Sequence, residues 1–83
     1  MSAKRTRLPK GLQKLLRSEL ERAVQECALS REDALIATRY IVEKVPQMDI
    51  AAELGWERST ISRRLPAIAD QVAWAAARLG KIT

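Results

Sequence analysis

The stretch "QMDIAAELGWERSTISRRL", residues 47–65, decides the reading of this chain. Ile50, Ala51 and Leu54 fall at the spacing of one helix face. Gly55 follows as a left-handed C-cap, where a residue without Cβ turns the chain at little steric cost. Trp56 comes next, and a second short helix begins near Glu57 or Arg58. Within it Ile61 and Leu65 are four apart and face inward together. Ala51 stands where two helices would cross closely, and a larger side chain would hold them apart. Two short helices joined by such a turn pack at roughly 90–120°, with the second held outward on a rigid base.

Downstream, Pro66 is expected to end that second helix and to sit in the first turn of another, where its missing N–H costs nothing. The last helix is expected to close on Gly80, with Arg78 near its negative end. Leu65, Ile68, Val72, Ala75, Leu79 and Ile82 alternate by three and four, a heptad-like seam. The seam is expected to pack on the first helix or on another subunit. Ala69, Ala73, Ala76 and Ala77 add a small-residue face that permits close approach.

Upstream, residues 1–8 read as a flexible basic arm and residues 9–83 as a single helical domain. From Pro9 a first helix carries Leu12, Leu16, Leu20, Ala23 or Val24, and Cys27 on one face, while Arg17, Glu21 and Arg22 point elsewhere. "ALSRED" breaks it, and Ser30 followed by Asp33 resembles a capping box with Asp in place of Glu. The second helix turns Leu35, Thr38, Ile41, Val42 and Val45 inward and stops before Pro46. The expected fold is all-α. It has four to five short helices, the 47–65 pair among them, and a C-terminal helix available to a dimer.

The composition narrows the function. A chain of 83 residues is one small domain, and its Ala, Leu, Glu, Arg and Gln are good helix formers. One cysteine, Cys27, builds no disulfide framework and reads as a buried small hydrophobe. With no histidine beside it, neither a zinc site nor a Cys–His nucleophile is available. No paired carboxylates or glycine-rich phosphate loop stand out, so no enzyme, metal or cofactor is expected. "MSAKRTRLPK" lacks the apolar run of a signal peptide, and no stretch is long enough to span a bilayer. A soluble, cytoplasmic protein is expected, with no membrane partner.

The net charge of +5 is unevenly spread. Residues 1–17 hold six basic groups and no acid, residues 18–57 hold nine acids against four bases, and residues 58–83 hold five bases against Asp70 alone. Basic ends around an acidic middle point to an anionic partner that touches particular surfaces.

Residues 47–65 resemble the helix-turn-helix of bacterial and phage DNA-binding proteins. Ile50, Ala51, Leu54, Gly55, Trp56 and Ile61 carry the resemblance, with "RSTISRR" in the position of the recognition helix. Glu57 departs from it, standing where such motifs usually carry Ser or Thr. Pro66 also departs, ending the recognition helix earlier than in many relatives. The motif followed by a hydrophobic helix ending "AWAAARLGKI" looks like the lambdoid-phage lysogeny activators, which bind DNA as oligomers. "SREDALIATRYIVEK" leading into the motif looks like the last region of bacterial sigma factors. The resemblance implies a sequence-specific transcriptional regulator, repressor or activator. It would bind double-stranded DNA in the major groove as a homodimer or higher oligomer, with RNA polymerase as a further partner.

The roles of individual residues follow from their angle to Ile61, since successive helical residues rotate by about 100°. Ser59 and Arg63 point most directly away from the core, and Thr60 and Ser62 lie on the flanks. Arg58 sits near the helix start, where groove-facing contacts concentrate. Arg58, Ser59, Ser62 and Arg63 are therefore the expected base contacts, with Arg63 first for a bidentate guanine. Thr60 and Arg64 are better placed for phosphates. Lys4, Arg5 and Arg7 of the arm would reach phosphates or an adjacent minor groove. Glu57 would accept from a cytosine amino group, cap the helix by its charge, or position Arg58. Trp56 and Trp74 read as packing residues, and Tyr40 as core with a wet hydroxyl. The competing readings are a sigma-like or recombinase-like DNA-binding module and, in another class, a helical protein-interaction adaptor or antitoxin.

Overall fold

The computed structural model describes residues 10–80, all helical or in turns and connections. The expectations for Pro9, for the basic arm and for Ile82 lie outside these residues. Five α-helices follow in order: α1 (Lys10–Gln13), α2 (Arg17–Glu26), α3 (Arg31–Ala37), α4 (Gln47–Leu54) and α5 (Arg58–Arg78). A π-helical turn, Thr38–Val42, extends α3. The all-α expectation is met. Among the described residues no helix is long and apolar enough to cross a membrane.

The long α5 is the axis of the fold and packs against each of the other four helices. Ile61, Leu65, Ile68, Ala69, Val72, Ala75 and Ala76 form its buried line. All of them except Ala69 meet Leu12, Leu20, Ala23, Val24, Ile36, Ala37, Ile41, Val42, Ile50 and Ala51 in one core. The heptad-like seam is thus largely consumed inside the chain, where α5 packs against α2.

Pro66 does not end a helix. It lies inside the continuous 21-residue α5, so the expected break into two helices is corrected. A proline inside a helix costs about 3 kcal/mol through a lost hydrogen bond and a clash with the carbonyl four residues back. Leu65, Ile68 and Val72 are each buried to 1% exposure or less, and each is worth about 1.5–3 kcal/mol on burial. A straight run keeps them on one line with Ile61, and together they outweigh the proline. Pro66 itself is exposed, so the Ser62 carbonyl it leaves without a donor lies on the solvent side.

The first helix is also corrected. It is broken at Lys14–Leu16, and Leu16 is 67% exposed instead of lining the apolar face. Glu19 supplies the cause. Its Oε1 accepts the Leu16 N–H at 2.9 Å and starts a new helix at Arg17. Leu15 takes the inward place, half-buried against the core. Arg17, Glu21 and Arg22 are exposed, as expected.

Ser30 caps α3 as expected, its Oγ accepting the Asp33 N–H at 3.2 Å. Of the stripe expected after it, Ile41 and Val42 are buried as expected, and the rest is shifted in register. Ile36 and Ala37 are buried with Ile41 and Val42, whereas Leu35, Thr38 and Val45 are only half-buried. The π turn explains the shift. Glu43 N–H bonds to the Thr38 carbonyl at 3.0 Å, five residues back, and the two buried pairs are likewise five apart. The helix ends before Pro46, at Val42 with Glu43 as its cap, and Lys44 beyond it takes a left-handed φ of 61°. Lys44 Nζ donates to the Ile41 carbonyl at 3.0 Å and covers that end. Pro46 instead precedes α4 in extended conformation.

Candidate functional site

The 47–65 segment folds as α4, a three-residue connection and the start of α5. Gly55 caps α4 at φ 72°, as expected. The Trp56 N–H donates to the Ala51 carbonyl at 2.9 Å and the Gly55 N–H to Ala52 at 3.3 Å, the bonding of a Schellman motif. Ile50, Ala51 and Ile61 are buried, and α4 packs on α5. Leu54 and Trp56 pack half-buried against the core.

A fork from the π turn holds α4 in place. Arg39 Nε and Nη2 donate to the two carboxylate oxygens of Glu53 at 3.0 and 3.1 Å, and Nη1 donates to Glu43 at 3.0 Å. This bidentate geometry fixes direction as well as distance. Hydrogen bonds from the Arg39 guanidinium hold the Glu53 carboxyl below the usual carboxylate range, and the two glutamates raise Arg39 further above its already high value.

The first turns of α5 divide their side chains between internal ties and solvent. Ser62 donates its Oγ–H to Gln47 Oε1, joining α5 to the first residue of α4. Arg64 stands with Nε 3.3 Å from Asp33 Oδ1 on α3. That contact is an ion pair without hydrogen-bond alignment, because Oδ1 is buried with no hydrogen-bond partner. Arg64 also lies over Trp56, its Cζ 5.1 Å from the ring centroid. Thr60 is half-buried.

Arg58, Ser59 and Arg63 are exposed, and the two arginines make no ion pair with the described residues. They offer two guanidinium forks and a hydroxyl from a helix fixed from behind. Such groups suit oxygen and nitrogen acceptors on a rigid, anionic surface. Glu57 is exposed at the N-cap but makes no side-chain capping hydrogen bond. Lys4, Arg5 and Arg7 lie outside the described residues.

Several residues behave otherwise than their types announced. Trp74 is 69% exposed and does not pack in the core, which corrects the expectation made for it. Tyr40 is half-buried against the core. Cys27 is half-buried, not fully buried, and its Sγ–H donates to the Gln71 carbonyl at 3.2 Å. Burial raises its thiol pKa. Gly80 turns left-handed at φ 77° two positions beyond Arg78, one residue after the C-cap, which is Leu79 and not Gly80 as expected.

Two partners at this site went unread in the sequence, Gln47 and Asp33. Asp33 spends its backbone N–H on the Ser30 cap, and its side chain meets an arginine thirty-one positions on. No local pattern signals such a pair. Among the described residues no cluster of Asp, Glu, Cys or His is arranged to hold a metal ion. Comparison of the chain with family models, with curated proteins and with solved structures gave no match.

Proposed function

We propose that the chain is a sequence-specific DNA-binding transcriptional regulator, with α4, the Gly55 turn and α5 acting as a helix-turn-helix in the major groove. The observation that carries this reading is the division within the first turns of α5. Ser62 and Arg64 are tied back to α4, α3 and Trp56, while Arg58, Ser59 and Arg63 are exposed beside them. Two arginines with no ion pair among the described residues, on one buttressed helix, are suited to an acceptor elsewhere. Arg63 is the bidentate guanine reader, with Arg58 and Ser59 as further base contacts. Thr60 and the exposed part of Arg64 serve phosphates, which set register without reading sequence. The Ser62 hydroxyl hydrogen is spent on Gln47, so Ser62 contributes as an acceptor and by holding Gln47. One helix face offers little contact area, and a homodimer or higher oligomer doubles it.

The test is binding to a duplex selected from a randomised pool against binding to random duplex, over a salt series. A regulator keeps a specificity ratio of at least about 10³ at physiological salt. A ratio near one sinks the reading.

A further inference from the structure

Asp70 is the one acid after Glu57, among five bases, and it is exposed on α5. It lies nine residues beyond the buried Ile61, a rotation of about 900°, so it points directly away from the core. Ser59 and Arg63 each lie about 160° from Ile61, one on either side of that direction. Asp70 therefore stands between them in angle, about 20° from each. Because α5 is continuous through Pro66, all three share one line along a single rod. Asp70 follows Arg63 by seven residues, about 10 Å along the axis.

The carboxylate has no cation beside it. The positions three and four away along α5 are Pro66, Ala67, Ala73 and Trp74, so no helical partner is in reach. Asp70 makes no ion pair with the described residues. Glu21, Glu26, Glu43, Glu53 and Asp33, by contrast, each meet an arginine. Between Arg63 and Asp70 the outward face holds only Pro66 and Ala67, neither with a side-chain donor. The donors on this face thus end at Arg63, and the next charge along it has the opposite sign.

A straight helix can meet a duplex with this face in two ways. Laid flat along the major groove, α5 turns Asp70 toward the duplex together with Ser59 and Arg63. An uncompensated carboxylate there repels the phosphates that wall the groove. Inclined with its N-terminal end down, α5 brings Arg58, Ser59 and Arg63 to base edges. Each 10° of inclination lifts Asp70 by about 2 Å relative to Arg63.

We infer that Asp70 is a specificity-determining residue of the proposed DNA site. It repels phosphates in the flat poses and stands clear of them in the inclined pose that seats the reading residues. Binding to random sequence is held by phosphates and takes many poses, so the repulsion falls chiefly there. A charge tolerated with one partner and repelled by another separates the two. This role rests on the DNA reading of α5.

The test uses the full chain in fluorescence anisotropy, with a duplex selected on wild type and with random duplex, over a salt series. Asp70→Asn is expected to raise affinity for random duplex by about fivefold and for the selected duplex by less than about twofold. The specificity ratio therefore falls. Asp70→Glu keeps the charge and is expected to keep the wild-type ratio. Asp70→Lys adds a phosphate contact and is expected to steepen the salt dependence on random duplex by about 0.9 in log–log slope. Circular dichroism is expected to give unchanged helicity in all three.

A wild-type preference that Asp70→Asn leaves unchanged overturns the role of Asp70 and keeps the DNA reading. So does an equal rise on both duplexes, which marks a general charge effect. A fall on the selected duplex alone makes Asp70 a base contact and also overturns it. A wild-type ratio near one overturns the DNA reading and this role together.

Discussion

Arg64 lies across the face of Trp56, its Cζ 5.1 Å from the ring centroid, with Nε 3.3 Å from the buried Oδ1 of Asp33. One side chain thereby joins the turn, α5 and α3. A cation over a partly exposed ring is worth about 0.5–1 kcal/mol, and a partly exposed ion pair about 0–1 kcal/mol. Arg64→Ala is therefore expected to destabilise by about 1 kcal/mol in urea unfolding, a shift of about 4–8 °C in Tm. Arg64→Lys recovers little of this, since an ammonium cannot stack as a plane. Pairing Arg64→Ala with Asp33→Asn in a double-mutant cycle should give a nonzero coupling. Strict additivity would remove the ion pair from the account.

Pro66→Ala is expected to stabilise the chain. Pro66 is exposed inside a continuous helix, and alanine restores one backbone hydrogen bond to the Ser62 carbonyl. The gain is up to about 3 kcal/mol, the propensity difference between the two residues in a helix interior. Chemical denaturation measures it. A loss of stability would mean that the proline fits a distortion of α5 that alanine cannot follow.

The same proline marks where the sequence stopped being legible. Local rules read Gly55 and Ser30 correctly, because a left-handed turn or a cap depends on a few neighbouring atoms. They failed at Pro66, where burial along 21 residues outweighed a local penalty. They failed at Thr38–Val42, where a 3.6-residue period was assumed and a π turn was formed. Leu16 was lost to a single Glu19 hydrogen bond. At the candidate site, the inward side of Ile61 was readable from spacing. The ties from Ser62 to Gln47 and from Arg64 to Asp33 were not, since they join distant positions.

Gly55→Ala isolates a backbone effect. A Cβ built at Gly55 meets nothing within 4 Å, so the cost comes from the φ of 72° alone. The left-handed region costs an ordinary L-residue about 1–2 kcal/mol, and asparagine tolerates it better. Gly55→Ala is expected to destabilise by about that amount and Gly55→Asn by less. Equal losses in the two variants, by urea titration, would contradict this account.

The Arg39–Glu53 fork gives a defined pH dependence. Glu53 has a lowered pKa in the folded chain, chiefly through hydrogen bonds from Arg39. Its contribution is thus complete above the unfolded value of about 4.3 and is lost as pH falls through the lower folded value. Arg39 remains charged throughout. Glu53→Gln should lower Tm relative to wild type at neutral pH, and the gap should narrow steadily below about pH 4.3. A gap independent of pH would show that the carboxylate charge is not what anchors α4.

Arg63→Ala separates reading from folding. Arg63 is exposed and has no ion-pair partner among the described residues, so its removal should change stability by less than about 0.5 kcal/mol. On the proposed function it should cost about 1–3 kcal/mol of affinity for a selected duplex, with relaxed preference at one base pair. Affinity for random duplex should fall much less. Arg64→Ala should differ in kind, lowering stability and weakening selected and random duplex alike. Fluorescence anisotropy with both duplexes, beside urea unfolding of both variants, distinguishes them. If Arg63→Ala leaves both affinities unchanged, the outward face of α5 is not the reading surface. The anionic partner would then have to lie against another part of the chain.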